Sequence, residues 1–139
     1  SIAISRDNLI YKNLPGTFTG DVSVSLWMFP ATDSNTNNSF RLGHVDAGRE
    51  AISIRINESN RWFLGSDANV IGNYSGTWTF VQMQIDTVNG TLDVWLDGVQ
   101  VVTNGSISLP QGINSIGFHS GRGGAGHTSY FDELIISAD

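Results

Sequence analysis

Trp27, Gln82, Gln84, Asp93 and Trp95 are the side chains through which this sequence most plainly offers chemistry. Each falls on the polar parity of a segment whose other parity is apolar. An indole face can stack on a pyranose ring through CH–π contact and apolar burial, and amides and carboxylates can read hydroxyls. Together they suggest a wet platform for a ring-shaped ligand, with a sugar as the expected occupant. Packing of Trp27 and Trp95 under a loop or a partner domain is the other use for such residues. Arg41 and Arg55 also lie outward, opposite Phe40/Leu42 and Ile54/Ile56. A guanidinium fork can grip a uronate or sulfate through two parallel bonds, or it can simply pair with Asp and solubilise the surface. His119 continues the outward register of Ser115 and Gly117 as a solvated side chain, and Arg122 is placed to act as a rim contact.

Four segments must position these groups: Asp21 to Phe29, Thr77 to Asp86, Thr91 to Val102 and Tyr130 to Ser137. All alternate apolar and polar residues with a period of two, as strands with one buried face do. Val22, Val24, Leu26 and Met28 form the inward set of the first. Val81, Met83 and Ile85 do the same for the second, and Leu92, Val94 and Leu96 for the third. Asn89-Gly90 and Asp97-Gly98 suit tight primed turns, which need positive φ. Further strands are expected at Ser39 to Val45, at Glu50 to Asn57 with Ile52, Ile54 and Ile56 inward, at Arg61 to Ser66 and near Asn69 to Asn73. Asn114 to Ser120 and Thr128 to Ser137 close the series. Ile2 to Ile4 with Leu9 to Tyr11 is read as an edge strand, broken by Pro15-Gly16 and Gly20. About eleven short strands and no stretch of helical period predict an all-β, two-sheet antiparallel sandwich or jelly roll.

Composition bounds the function. The 139 residues suit one domain over positions 1–139, with sixteen glycines and three prolines for its turns. Seven basic against thirteen acidic residues give a net charge of −6, which makes nucleic acid and anionic membranes poor partners. The absence of cysteine excludes disulfides, thiolate metal sites and cysteine nucleophiles. It also favours a bacterial over a eukaryotic secreted source. No apolar run reaches the length of a membrane helix. The chain opens at Ser1 without methionine and is expected to be a domain cut from a larger secreted or cell-surface protein. GRGGAGH, Gly121 to His127, lacks the strand-to-helix context and the closing Lys-Ser/Thr of a phosphate cradle and reads as a wide turn.

The stretch from Trp78 to Val101, WTFVQMQIDTVNGTLDVWLDGVQV, resembles the concanavalin A-like lectin/glucanase group and its laminin-G-like members. The resemblance rests on Trp78, the Asn89-Gly90 turn, Trp95 and Asp97-Gly98. DVSVSLWMFP, SFRLG and the closing YFDELIIS extend it over nearly the whole chain. It implies a jelly roll of two curved sheets with ligands at the concave one, a buried Trp78, and any of several functions, because this group includes lectins, adhesion modules, glycosidases and lyases. Retaining glucanases of the group need a close carboxylate pair. Here only Glu50, Glu58 and Glu133 are glutamates, and no Glu-x-Asp-x-Glu occurs. The lyase branch needs Gln-x-His and Tyr-x-Lys. VQMQID offers Asp86 in place of the histidine, and His44, His119 and His127 are scattered.

Sugar-binding sandwiches of the group often hold a structural calcium between the N-terminal segment and an Asp of the last strand. By that resemblance Asp132 is the candidate ligand, approached by Asp7 or Asp21. DSNTNN, Asp33 to Asn38, alternates oxygen donors as calcium loops do, but it lacks their glycine and distal glutamate and reads as solvated loop. The expectation is a non-catalytic carbohydrate-binding module that targets a polysaccharide-active enzyme or adhesin to its glycan. The alternatives are a spacer or protein-interaction domain, or a small lyase or hydrolase.

Overall fold

A computed structural model describes residues 2–5, 8–30, 38–56, 60–65, 69–121 and 128–138. Twelve strands form among them. They are β1 (Ile2–Ser5), β2 (Asn8–Phe18), β3 (Asp21–Phe29), β4 (Asn38–His44), β5 (Gly48–Ile56) and β6 (Arg61–Leu64), followed by β7 (Val70–Asn73), β8 (Thr79–Asp86), β9 (Thr91–Leu96), β10 (Val99–Ser106), β11 (Ile113–Ser120) and β12 (Thr128–Ala138). Sheet A runs β1-β12-β3-β8-β9-β10 and sheet B runs β2-β11-β4-β5-β6-β7, with every pairing antiparallel. The expected jelly-roll sandwich is what forms.

The period-two pattern explains the layering. The inward residues of β3, β8 and β9 are all buried, and they meet Phe40, Leu42, Ile52, Ile54, Ile56, Trp62, Ile113 and Phe118 from sheet B. Burying one such side chain contributes roughly 1.5–3 kcal/mol, so a register slip of one residue would expose the whole inner row of a strand.

The start of the chain differs from the expected single edge strand. β1 borders sheet A beside β12, whereas β2 borders sheet B beside β11. β2 also runs straight through Pro15-Gly16, because an edge strand leaves one side of its backbone unpaired and tolerates a missing N–H there. The two turns differ as well. Asp97 (φ 49°) and Gly98 (φ 82°) make the tight β9–β10 hairpin with both residues left-handed. The β8–β9 loop instead spans Thr87 to Gly90, with Gly90 alone at positive φ (70°). There the Gly90 N–H donates to the Asp86 carbonyl (2.9 Å), and Asp86 Oδ1 accepts the N–H groups of Val88 (3.0 Å) and Asn89 (2.9 Å). The Asn89 N–H, the Asn89 side-chain amide that donates to Asp86 Oδ2 (2.7 Å) and the Val88 N–H hold the Asp86 carboxyl below its ordinary range.

Trp78 is another departure. It lies half-buried outside the core, edge-on to Phe29 (5.5 Å) and near Tyr130 (6.5 Å). Trp62 is the core tryptophan, 1% exposed and T-shaped against Tyr74. The Tyr74 hydroxyl donates to the Pro30 carbonyl (2.9 Å), and burial pushes its pKa up to about 12.

Candidate functional site

The sandwich has two outward faces, and the residues singled out above divide between them. On sheet A, cross-strand pairing assembles two adjacent rows. Ile135, Ser25, Gln82, Trp95 and Gln100 follow one another across β12, β3, β8, β9 and β10. Ser137, Ser23, Gln84 and Asp93 form the next row. A groove of about 570 Å³ lies along them, lined by Ser23, Ser25, Gln82, Gln84, Trp95, Gly98, Ile135 and Ser137 together with Val24 and Met83. Its volume is within the range of small-ligand sites. Gln84 Oε1 accepts a bond from the Ser23 hydroxyl at 2.7 Å, which fixes that amide and leaves its NH₂ as a donor.

Gln82, Gln84 and Trp95 thus meet, whereas Asp93 and Trp27 flank the groove without lining it. Asp93 Oδ1 accepts the N–H of Asn104 (2.8 Å) and lies 3.5 Å from Gln100 Nε2, so its carboxylate shapes the β10 bulge. Trp27 leans on Phe80, ring centroids 5.0 Å apart, one row beyond. The groove residues that sequence reasoning missed are Ser23, Ser25, Ile135 and Ser137. The outward parity of the serines was legible. Their partnership with β12 was not, because a bulge at Glu133 (φ 51°) resets the register between Asp132 and Ile135.

Arg41, Arg55 and His119 lie on the opposite side, outward on sheet B, and cannot share a ligand contact with Trp95 or the glutamines. This face is the more sheltered: Arg41 and Arg55 are each only 8% exposed, and Ser39 and Ser115 are fully covered. Arg41 Nε donates to Ser39 Oγ (3.0 Å), and its Nη1 donates to the Tyr11 hydroxyl (3.0 Å) and forms a salt bridge with Glu50. Arg41 Nη2 lies 3.2 Å from His119 Nδ1. His119, read from the sequence as solvated, and Arg41, read as an anion fork or a surface arginine paired with Asp, are members of one bonded network in which the acid is Glu50. Arg55 Nε donates to the Gly65 carbonyl, and its guanidinium sits 5.3 Å from the centre of the Phe63 ring. Tyr11 and Arg49, which the sequence reading passed over, complete the cluster. Arg49 Nη1 donates to Asn13 Oδ1 (3.3 Å) and Ser115 Oγ (3.2 Å), and Arg49 Cζ lies 5.2 Å from the Tyr11 ring centre. Arg122 lies outside the described residues.

Charge divides along the same line. The strands of sheet A carry Asp21, Asp86, Asp93, Asp132 and Glu133 and no Lys or Arg. Those of sheet B carry Lys12, Arg41, Arg49, Arg55 and Arg61 against one acid, Glu50. Asp132 lies on sheet A, its Oδ1 accepting the Glu133 N–H at 2.9 Å. Among the described residues no group of three or more His, Asp or Glu gathers as a metal site. Asp7 and positions 33–37 lie outside the described residues.

Several solved structures share this architecture. A sialidase aligns over 94% of this chain with a TM-score of 0.73 at 13% identity. The carbohydrate-binding module CBM66 from Bacillus subtilis aligns over 98% of this chain and 86% of its own, with a TM-score of 0.62 at 11% identity. The shared fold is the two-sheet antiparallel jelly roll. A tetrameric galectin from the ball sponge Cinachyrella sp. is a further jelly roll of this kind, covering 92% of this chain and 98% of its own at a TM-score of 0.57 and 12% identity. The chain spans only 14% of the sialidase's length. No family model matches the sequence, and no curated protein matches it either. At these identities the likeness is one of jelly-roll fold and does not extend to particular residues.

Proposed function

We propose that this jelly roll is a non-catalytic carbohydrate-binding module whose sheet A groove holds a neutral glycan. The observation that carries the reading is the lining itself: one tryptophan, two glutamines and three serines, with no charged side chain. Trp95 offers a sugar ring its stacking surface, and the Gln82 and Gln84 amides with the serine hydroxyls offer donors and acceptors to its hydroxyls. Amides and serine hydroxyls do not ionise near neutral pH, so this lining offers no carboxyl pair to serve as acid and base for glycoside cleavage. A carbohydrate-binding module and a galectin among proteins of the same fold and domain size support the reading. In the parent protein, secreted and bacterial in this proposal, the module would bring an attached enzyme or adhesin to its polymer. A calcium ion at Asp132 is a separate part of the proposal and would need Asp7 or other oxygens to complete its shell.

Ile135, 62% exposed in the groove lining, favours a protein-interaction spacer instead. Affinity electrophoresis through gels containing neutral polysaccharides separates the two. The glycan reading expects retardation by at least one polymer, with Kd in the micromolar-to-millimolar range of a shallow, wet site. Retardation should vanish in Trp95→Ala with the circular dichroism unchanged. Mobility that no polymer alters, or that Trp95→Ala leaves as it was, would contradict it.

A further inference from the structure

The outward face of sheet B has no role in the proposed neutral-sugar groove, yet it holds the molecule's most organised polar cluster. Burying arginines costs free energy unless partners compensate. Arg41 is compensated by Glu50. Arg49 is held differently: its partners are the neutral oxygens of Asn13 and Ser115 and the face of Tyr11. Its guanidinium is therefore fixed in position without an ion pair to any carboxylate among the described residues.

The floor beneath is made for this arrangement. A Cβ at Gly117 would come within 2.7 Å of the Tyr11 ring and 3.3 Å of Arg41 Cβ, so glycine is what lets Tyr11 lie across β11 between the two arginines. The overall charge of −6 is unevenly placed, with five basic residues and one acid on the strands of sheet B. Packed sheets lie about 10 Å apart, and side chains extend outward from each. Charges on the two outward faces are thus separated by more than the Debye length of about 8 Å at physiological ionic strength.

The geometry points to a second ligand site on sheet B, centred on Arg49, Tyr11 and Arg41, that takes a carboxylate-bearing sugar such as a hexuronate residue. Arg49 meets the carboxylate, and the Tyr11 hydroxyl and Glu50 meet ring hydroxyls. A planar carboxylate matches the guanidinium fork, which a point charge does not. This inference extends glycan binding to a face that shares no residue with the sheet A groove, so either can fail alone.

Calorimetric titration of the domain with trigalacturonate and with its fully methyl-esterified form tests it. The acid is expected to bind, more weakly as salt is raised, and the ester to bind at least about tenfold more weakly. Arg49→Gln should weaken the acid by a similar factor, Arg49→Lys should recover only part of that loss, and Trp95→Ala should change nothing. Amide shifts in the wild-type protein, which need no variant to fold, should fall on β4, β5 and β11. Equal binding of acid and ester, no binding of the acid, or shifts confined to β3, β8 and β9 would overturn the site. Release of unsaturated uronates during the titration would overturn the non-catalytic reading while leaving the location standing.

Discussion

Gly117 shows how much of a face can depend on one missing methyl group. It lies within a regular strand and has no positive φ to explain it, so its reason is space: Tyr11 occupies the volume its Cβ would need. Gly117→Ala must displace Tyr11 and disturb the bond from Arg41 to its hydroxyl. Overpacking of this kind costs about 1–3 kcal/mol. In a Tyr11→Ala background the same change should cost well under 1 kcal/mol, because the clashing ring is gone. A double-mutant cycle by urea unfolding measures the difference. Equal costs in the two backgrounds would mean that Tyr11 is not what Gly117 accommodates. Asp93 makes the complementary point at the other face, where an outward carboxylate that reads as a ligand contact is used to hold a bulge.

At the scale of elements, Tyr74 ties the chain after β7 to Pro30 at the end of β3. Tyr74→Phe removes that bond, and thermal or urea melts should show a loss of about 1 kcal/mol. The pH dependence has a definite sign. The folded pKa of about 12 lies above the unfolded value of 10.0, so the folded state holds its proton longer. Stability is fully present below pH 10 and declines as the pH rises towards about 12. Tyr74→Phe should flatten that decline, and an identical alkaline slope in the variant would remove Tyr74 as its source. The calcium proposal belongs to β12. An ion that binds only the folded state should raise the melting temperature by several degrees at a hundredfold excess over its Kd. Chelation should reverse the rise and Asp132→Ala should abolish it. Superimposable melts with calcium and with chelator would leave Asp132 as a hydrogen-bonding residue that accepts the Glu133 N–H, not a metal ligand.

At the scale of the whole molecule, the sandwich separates charge and chemistry between its two faces. That division is also where sequence reading stopped. Period-two alternation told inward from outward for β3, β4, β5, β8 and β9, and so it gave the core and the parity of Trp95, Gln82, Arg41 and Arg55. Parity does not say which of two sheets a strand joins. Arg55 and Trp95 share outward parity yet stand on opposite sides of the core, because their sheets are chosen by pairings between distant segments. β12 with β3 and β2 with β11 are such pairings, and no local pattern records them. Pro15-Gly16 misled for a related reason, since its tolerance depends on β2 lying at an edge. The central claim is that the charge-free groove of sheet A receives a neutral sugar. Its most direct test is a titration of the ¹⁵N-labelled domain with a neutral oligosaccharide, cut from whichever polymer retards it, followed by amide and indole shifts. The account predicts saturable shifts at Trp95 Nε1, the Gln82 and Gln84 side-chain amides and the backbone around Ser23, Ser25 and Ser137, with Arg41 and Arg49 unmoved. Saturable shifts on sheet B alone, or none with any neutral glycan, would contradict it.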